Sequence, residues 1–435
     1  MSPHPSRFLI RGGRVLDPGS GRDDVADVLV EDGRVVAVEA RLDAADAQVL
    51  DAAGLWVGPA FVDLHAHLRE PGQEYKEDIG SGGRAAVAGG FGAVACMANT
   101  QPVNDDPSVT EYILERARSD SPARVYPIAA ATRGLEGRVM TELDTLVRSG
   151  AVAFSDDGKT IMDSGVMRRV LEYSTLVKRP VIVHAGDRTL VGEGVVNEGP
   201  VSTRLGLPGN PAAAEAVHVA RDLILAELAG AHLHVAHVST AAAVDLIRAA
   251  RERGLHVTAE VTPHHLTLTD EAALGYDTNT KMAPPLRSRA DVEACRRGLE
   301  DGTLDAIATD HAPHAVHEKE VDFAEAPPGI TGLETAFAVV LDLVRARELA
   351  PLELLRRLST NPARILGVEG GTLAAGSTAD LVVLDPEHEW VYDPMKGFSK
   401  STNSPWAGSR LRGRAVATFV GGRLVYQLGR GVLAP

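Results

Sequence analysis

The stretch FVDLHAHLREPG, residues 61–72, begins as an apolar run and ends it with two histidines one residue apart. In an extended strand, side chains at positions i and i+2 point to the same face, so His65 and His67 face the same way. Neutral imidazole is the commonest metal ligand in proteins, and this strand end offers two ring nitrogens to one ion. An isolated pair of histidines is explained equally well as polar residues that close a strand. Other residues must decide between this explanation and a metal site.

The run at 61–67 is the first of eight β-type runs. The others are AVACMANT (93–100), RVYPIAAA (124–131), AVAFSDD (151–157), PVIVHAG (180–186), HLHVAHVS (232–239), HVTAEVTPHH (256–265) and DAIATDHAP (305–313). Stretches with helical spacing lie between them, such as GVMRRVLEYSTLVKR (165–179) and AAAVDLIRAARERG (241–254). Strands that alternate with helices pair in parallel, so eight such units predict an α/β fold with a closed (β/α)8 TIM barrel.

Two flanks lie outside the eight runs. Residues 7–57 contain short β-like runs with a turn signal at EDGR (31–34), and residues 366–435 contain ADLVVLDP and VATFVGGRLVYQLG. Neither flank alone has enough strands for a stable sandwich, so we predict that they pair with each other. The predicted organisation is a small composite β-sandwich of residues 1–57 and 366–435, with the barrel of residues 58–365 inserted in it.

Composition excludes several classes of protein. No apolar run approaches the roughly 18 residues of a membrane helix, and no secretory signal opens the sequence, so we expect a cytoplasmic protein outside the membrane. The net charge of -15 argues against a nucleic-acid surface. Cys96 and Cys295 are the only cysteines, too few for a thiolate cluster, so histidines and carboxylates must hold any metal.

Polar residues converge at the predicted strand ends, where the active sites of such barrels lie. They come from five runs: His65, His67, Asp156, Asp157, His184, His237 and Asp310. Four histidines at one rim predict a metal site. A single catalytic zinc needs three protein ligands, whereas this larger set favours two ions bridged by a carboxylate and a hydroxide.

The identity of the bridging group is left open among three residues. Strand alternation aims only one of Asp156 and Asp157 inward, and we choose Asp157, with Asp156 as the alternative. Lys159 is the third candidate, as a lysine that carries a carbamate.

Six motifs together resemble a known family. They are DLHAHLREPG, FSDDG (154–158), VTAEVTPHHL (257–266), NTKMAPPLR (279–287), ATDHAPH (308–314) and APPGITGLETA (326–336). They look like those of a bacterial dihydroorotase of the long-chain type, in the amidohydrolase superfamily, and the resemblance covers nearly the whole chain. The paired histidines mark only the superfamily; the arginine after them and ATDHAPH are more specific.

The resemblance implies a role for each matching position. His65, His67 and Asp310 would bind one Zn²⁺ and His184 and His237 a second, with Asp157 as the bridge and Asp310 as the catalytic acid and base. The implied substrate-binding residues are His67, Arg69, Asn99, Asn279, His314, Pro328 and Gly329. Arg69, Asn99 and His314 would hold a carboxylate, and Asn279 and Pro328–Gly329 would contact a ring. Ala98 departs from the family, which has proline there, and a lost proline would loosen the placement of Asn99.

The implied reaction is the reversible cyclisation of N-carbamoyl-L-aspartate to L-dihydroorotate, in pyrimidine synthesis. Arg69 is suited to this substrate because a guanidinium binds a carboxylate through two parallel hydrogen bonds. The alternative is that Arg69 only pairs with the neighbouring Glu70. The alternatives are a hydantoinase, dihydropyrimidinase or allantoinase, and an inactive scaffold for aspartate carbamoyltransferase. We expect a homo-oligomer, a dimer, and leave open an association of the active enzyme with aspartate carbamoyltransferase.

Overall fold

The computed structural model describes residues 7–433. The strands of the amino-terminal flank are β1 (Arg7–Asp17), β2 (Arg22–Glu31), β3 (Arg34–Glu39), β4 (Gln48–Asp51) and β5 (Trp56–Pro59). Ten more follow: β6 (Phe61–Ala66), β7 (Phe91–Cys96), β8 (Arg124–Ala129), β9 (Ala153–Phe154), β10 (Val181–Val183), β11 (Val196–Asn197), β12 (Gly209–Asn210), β13 (Leu233–Val235), β14 (Val257–Val261) and β15 (Ala306–Ile307). The last four are β16 (Leu381–Val391), β17 (Arg410–Val420), β18 (Arg423–Gln427) and β19 (Gly431–Val432).

Helices separate the strands of the central part. They are α1 (Ile79–Ala88), α2 (Pro107–Asp120), α3 (Leu143–Arg148), α4 (Ser164–Val177), α5 (Arg188–Val191), α6 (Pro200–Leu205), α7 (Ala212–Ala229), α8 (Ala241–Glu252), α9 (Pro263–Thr267), α10 (Arg289–Glu300), α11 (Val316–Lys319), α12 (Ala336–Arg345), α13 (Pro351–Leu355) and α14 (Asn361–Leu366). Short 3-10 turns occupy Arg133–Leu135, Asp270–Gly275, Thr278–Thr280 and Pro394–Lys396, and a π-helical turn, Arg356–Thr360, joins α13 to α14. No helix within residues 7–433 is long and apolar enough to cross a membrane.

The predicted barrel is confirmed. Eight strands lie in the order β15-β14-β13-β10-β9-β8-β7-β6, and one of these strands falls in each predicted run. β11 and β12 form a separate two-stranded ribbon. Between the first and last strands of the order, a bridge pairs Ala66 with His311, and Asp63 accepts hydrogen bonds from the backbone and hydroxyl of Thr309. These contacts bring the ends of β6 and β15 to one rim.

Local sequence explains where the helices begin and end. Helix α8 starts because the Thr240 side chain caps the backbone of Ala243, and α7 ends at Gly230, in the left-handed conformation that glycine favours. The two helices pack beside each other outside the barrel. Their apolar faces bury Val219, Leu223, Val244 and Ile247 against the strands.

The two flanks pair with each other, as predicted. Strand β5 lies antiparallel to β16, with Val57 opposite Val383, and this pairing joins both flanks in one nine-stranded sheet. The sheet folds over on itself. Two strands separate β1 from β17 in the sheet, yet the rings of Phe8 in β1 and Phe419 in β17 lie 5.1 Å apart. The flanks thus form a composite β domain; its division from the barrel at 57/58 and 365/366 stays a prediction.

Candidate active site

The structure gathers six of the predicted residues at the carboxyl ends of the barrel strands. Asp157 lies at the centre: its Oδ1 is 3.5 Å from Nε2 of His65, 3.3 Å from Nδ1 of His184 and 3.6 Å from Nε2 of His237. Its Oδ2 is 3.6 Å from Nε2 of His67. Asp310 completes the group, with its Oδ1 3.2 Å from the same nitrogen of His67. We call these six residues the histidine–aspartate cluster.

The cluster fits metal ions. Buried polar atoms normally find hydrogen-bond partners, yet Nε2 of His65, both ring nitrogens of His237 and Oδ1 of Asp157 have none among the described residues. Two overlapping triads have ligand atoms within 4.8 Å of one another, namely His65, Asp157 and His237, and His65, His67 and Asp310. Imidazole nitrogen and carboxylate oxygen are donors that zinc and related divalent cations accept.

Neighbouring side chains fix which ring nitrogens face the cluster. Oε1 of Glu260 lies 2.8 Å from Nδ1 of His65, and the amide oxygen of Asn99 lies 2.9 Å from Nδ1 of His67. Both oxygens accept, so each Nδ1 carries a proton and each Nε2 faces the cluster, where it can bind a cation in place of a second proton. Burial alone would raise the pKa of Glu260, but its hydrogen bonds with His234 and His65 outweigh burial and lower it to about 2.

The cluster also holds its own acids ionised. Burial opposes the charge of Asp157, but His65, His184 and His237 outweigh it and keep the pKa of Asp157 well below its usual range. The pKa of Asp310 is lowered in the same way, against burial, chiefly by His65 and His67. Both carboxylates are therefore available as ligands.

The geometry separates the three candidates for the bridge. Asp156 faces away from the cluster and accepts hydrogen bonds from the backbone and hydroxyl of Thr132; burial raises its pKa to about 6. Lys159 is exposed at the surface. Asp157 alone among the three lies between the histidines, which favours it.

Three site residues occupy backbone conformations that L-amino acids rarely adopt. The φ angles are 62° at Arg69, 33° at His237 and 47° at Asp310. Such strain costs on the order of 1–3 kcal/mol per residue and persists where the surroundings over-determine it, typically at functional sites.

A cavity of about 170 Å³ opens beside the cluster. Its walls include the predicted substrate contacts His67, Arg69, Asn99, His314, Pro328 and Gly329 together with Asp157, His184, His237 and Asp310. The structure thus brings all but one of the predicted substrate residues into the same pocket as the cluster. We call the side formed by Arg69, Asn99, His314, Pro328 and Gly329 the carboxylate wall.

Arg69 is buried in this wall and does not pair with Glu70. Glu70 instead bonds to Arg116 at 2.8 Å and to the hydroxyl of Tyr112 at 3.0 Å. Nε of Arg69 donates to the Pro313 carbonyl at 3.2 Å, and within residues 7–433 its guanidinium forms no ion pair. Burial lowers the pKa of Arg69 to about 10, which leaves it charged at neutral pH and in need of an anion.

The rest of the wall is built from two adjoining segments. Nε2 of His314 lies 3.0 Å from the Pro328 carbonyl, and burial, together with the charge of Arg69, lowers the pKa of His314 to about 3. Gly329 has a φ of 126°, and a Cβ there would lie 2.6 Å from the Cβ of Ala312. Only glycine fits at that position without a rearrangement.

Asn279 is the predicted substrate residue that does not line this cavity. It lies in the 3-10 turn Thr278–Thr280, and its backbone N–H donates to Asp277 at 2.9 Å. Its contact with a substrate ring stays a prediction. The loop at Ala98 is held without proline, because the Ala98 carbonyl accepts hydrogen bonds from Thr100 at 2.8 Å and Asn104 at 3.0 Å.

Two expectations about neighbouring residues are wrong. The seventh run was expected to extend as a strand through His264 and His265, but β14 ends at Val261 and both histidines lie in α9, where Pro263 and the Thr262 cap start a helix. The charged residues of the loop after the eighth strand, HAVHEKEVDFAEAPPG (314–329), predict a solvent-exposed face that includes Lys319. Lys319 is buried instead, and donates to the Pro327 carbonyl at 2.8 Å and the Gly329 carbonyl at 3.3 Å.

The residues that support the site differ in how clearly the sequence marks them. Glu260 had a signal, because an acid inside a buried apolar strand such as VTAEV is uncommon unless it is paired. His311 follows Asp310, so strand alternation predicts that it faces away from the pocket and supports the site; its Nε2 lies 3.2 Å from the buried Glu77. Asn403, which bonds to the backbone of the carboxylate wall, had no recognisable signal.

Comparison with known proteins identifies a similar fold. The solved L-hydantoinase (dihydropyrimidinase) from Arthrobacter aurescens superimposes with a TM-score of 0.88 over 98% of this chain and 97% of that structure, at 26% identity. A (β/α)8 barrel of this kind, with a histidine–aspartate cluster at its strand ends, defines the amidohydrolase class.

Sequence relatives identify the family within the amidohydrolase class. The Dihydro-orotase-like family model matches residues 54–243. A dihydroorotase from Anaeromyxobacter dehalogenans is 56% identical over 97% of this chain and 98% of its own length. One from Syntrophus aciditrophicus is 52% identical over 97% of this chain and 99% of its own length. The chain belongs to the dihydroorotase family.

Proposed function

We propose that the chain catalyses the reversible cyclisation of N-carbamoyl-L-aspartate to L-dihydroorotate in pyrimidine biosynthesis. The observation that carries the proposal is the single pocket of about 170 Å³ in which a cluster suited to metal ions adjoins a buried, unpaired arginine. Metal ions held by the cluster would promote hydrolysis of an amide, and the buried arginine would bind a carboxylate of the substrate.

The metal proposal is two zinc ions per chain. His65, His67 and Asp310 would hold one ion, His184 and His237 the other, and Asp157 would lie between them. When bound, such cations lower the pKa of water towards neutrality and polarise the amide carbonyl. Glu260 and Asn99 contribute by holding the rings of His65 and His67 in the orientation that ligation requires.

Asp310 would move the proton. In the ring-opening direction its carboxylate accepts the proton of the attacking water and delivers it to the ring nitrogen that leaves when the amide C–N bond breaks. In the synthetic direction it takes the proton from the carbamoyl nitrogen and returns it to the departing water. A carboxylate held ionised at the pocket wall is suited to accept first.

The carboxylate wall would select the substrate. Arg69, Asn99 and His314 converge on the same side of the pocket, and the guanidinium can bond a carboxylate through two parallel N–H groups. A hydantoin or dihydropyrimidine ring without a carboxylate would leave the buried Arg69 unpaired, at a cost of about 1–3 kcal/mol or more.

The test is turnover by the purified enzyme of L-dihydroorotate, hydantoin and allantoin, with the metal content measured on the same sample. We expect dihydroorotate to be preferred by at least about 100-fold in kcat/KM, which corresponds to the loss of one charged contact. Preference for hydantoin or allantoin would replace the proposal with another cyclic amidohydrolase activity, such as that of the superimposed L-hydantoinase.

Assembly is a further part of the proposal. We propose a homodimer, and an association with aspartate carbamoyltransferase that would pass N-carbamoyl-L-aspartate to this pocket. Molar mass in solution and co-elution of the two purified enzymes test these two statements separately.

A further inference from the structure

A segment of the carboxyl-terminal flank reaches back to the barrel rim. Residues 399–403 lie between β16 and β17, and Ser401 Oγ donates to the Lys76 carbonyl at 2.7 Å in the loop after the first barrel strand. The backbone N–H of Lys400 donates to Glu77 at 3.2 Å. This segment therefore contacts the loop that carries Arg69.

Asn403 makes the most specific contacts of this segment. It is only 3% exposed, and its side-chain amide makes three hydrogen bonds. Oδ1 accepts from the backbone N–H of His314 at 3.0 Å, and Nδ2 donates to the carbonyls of Ala312 at 3.1 Å and Gly329 at 3.0 Å. Its main-chain carbonyl accepts from Thr331 at 2.8 Å.

These bonds join the two segments of the carboxylate wall. The segment that carries His314 and the segment that carries Gly329 touch directly where Ala312 donates its N–H to the Ile330 carbonyl at 2.7 Å. Asn403 bonds to both segments. Its amide orientation is fixed, because two carbonyl oxygens require donors and one N–H requires an acceptor.

We propose that Asn403 is a positioning residue for substrate selection. It sets the spacing between His314 and the Pro328–Gly329 backbone, and so holds the wall in the shape that grips the substrate carboxylate against Arg69. The inference rests on the proposed function. It also assigns a role in substrate binding to the flank domain, which contributes no residue to the histidine–aspartate cluster.

The sharpest test is Asn403→Asp, which has the same shape but replaces the donor Nδ2 with an oxygen that faces two carbonyls. We expect KM for L-dihydroorotate to rise about ten-fold or more, since two hydrogen bonds are lost and an unfavourable contact is gained. Bound metal and kcat should stay within about three-fold, because Asn403 touches neither the cluster nor the reacting atoms. Asn403→Ser, which keeps one donor, should shift KM in the same direction by less.

Asn361→Asp is the matched control. Asn361 is also a buried asparagine, and its Nδ2 donates to the Asp305 carbonyl at 2.7 Å, at the opposite end of the eighth barrel strand. A purely structural role for Asn403 predicts that both variants lower the midpoint of thermal unfolding and leave KM unchanged. Our proposal predicts that KM rises only in the Asn403 variants.

A double-mutant cycle with Arg69→Met adds a second readout. If Asn403 acts through the carboxylate grip, Asn403→Asp should raise KM by less than about two-fold once Arg69 is gone, since the two changes affect one interaction. Independent, multiplying effects would overturn the proposal, and so would an unchanged KM in Asn403→Asp and Asn403→Ser. Absence of dihydroorotate turnover in the unsubstituted enzyme would instead overturn the proposed function, so the two failures are distinguishable.

Discussion

The histidine–aspartate cluster and the carboxylate wall share one pocket but are built in different ways. The cluster residues stand at the ends of barrel strands, where neighbouring strands bring them within 3.2 to 3.6 Å of one another. Arg69, His314 and Gly329 stand on loops. Asn403, about 90 residues further along the chain than His314, bonds to the backbone of His314 and Gly329, and Lys319 donates to the Gly329 carbonyl. The barrel strands thus position the histidine–aspartate cluster, whereas contacts between distant segments position the carboxylate wall.

The largest effect is expected in the cluster, from Asp310→Asn. We expect kcat to fall roughly 10²- to 10⁴-fold, the usual range for loss of a general acid and base, while bound metal largely remains because the five other proposed ligands are intact. Steady-state turnover and the metal content of the purified variant measure the two quantities. Turnover equal to that of the unsubstituted enzyme would rule out the proton-transfer role.

Asp156→Asn is the matched control for this experiment. Asp156 is a buried acid on the same rim, but it bonds to Thr132 and faces away from the cluster. Its replacement should keep kcat within about ten-fold, since a neutral partner of Thr132 is retained. A fall in kcat as large as that of Asp310→Asn would contradict our conclusion that Asp156 faces away from the cluster and takes no part in catalysis.

The next largest effect is expected in the wall, from Arg69→Met. We expect kcat/KM for dihydroorotate to fall about 100-fold, close to 3 kcal/mol, because a charged contact with the substrate carboxylate is lost. Arg116→Met provides the comparison, since Arg116 pairs with Glu70 outside the pocket, and should change kcat/KM less than about two-fold. Equal losses in both variants would contradict the assignment of the carboxylate contact to Arg69.

The same contrast explains what the sequence could predict. Alternation along eight apolar runs was sufficient to predict the barrel and the convergence of His65, His67, Asp157, His184, His237 and Asp310, because strand ends of a barrel share a rim. Arg69 was recognised from its motif, but the sequence did not show that Glu70 bonds to Tyr112 and Arg116 in α2. Asn403 and Lys319 act through the backbone of remote loops, and single-sequence patterns carry no information on such contacts.

Support of the cluster is expected to matter less than its ligands. Glu260→Gln weakens the acceptor for Nδ1 of His65, and loss of such a partner typically lowers metal affinity about 10- to 100-fold. Retention of metal against a competing chelator measures this effect. Glu215→Gln is the control, because Glu215 is equally buried but bonds to Ser239 and Thr240. Equal retention in Glu260→Gln and the unsubstituted enzyme would contradict the supporting role.

The smallest effect on activity is expected from Lys319→Met in the wall. Lys319 donates to the Pro327 and Gly329 carbonyls, and loss of one or two such bonds should raise KM for dihydroorotate about two- to ten-fold without a change in bound metal. Lys319→Met should also change how the free energy of unfolding depends on pH, and this effect should be easier to detect than the change in KM. Burial, with some repulsion from Lys281, lowers the pKa of Lys319 from 10.5 to about 8.

The sign of that pH dependence follows from proton counting. Between pH 8 and 10.5 the unfolded chain keeps a proton that the folded chain has released at Lys319, so the free energy of unfolding rises with pH in this window. The contribution is at most about 3 kcal/mol, from the size of the pKa shift. Denaturant unfolding at pH 8 and pH 10 should show this rise in the unsubstituted chain and a flatter profile in Lys319→Met. Parallel profiles would mean that folding does not lower the pKa of Lys319, and would contradict its burial beside the Gly329 segment.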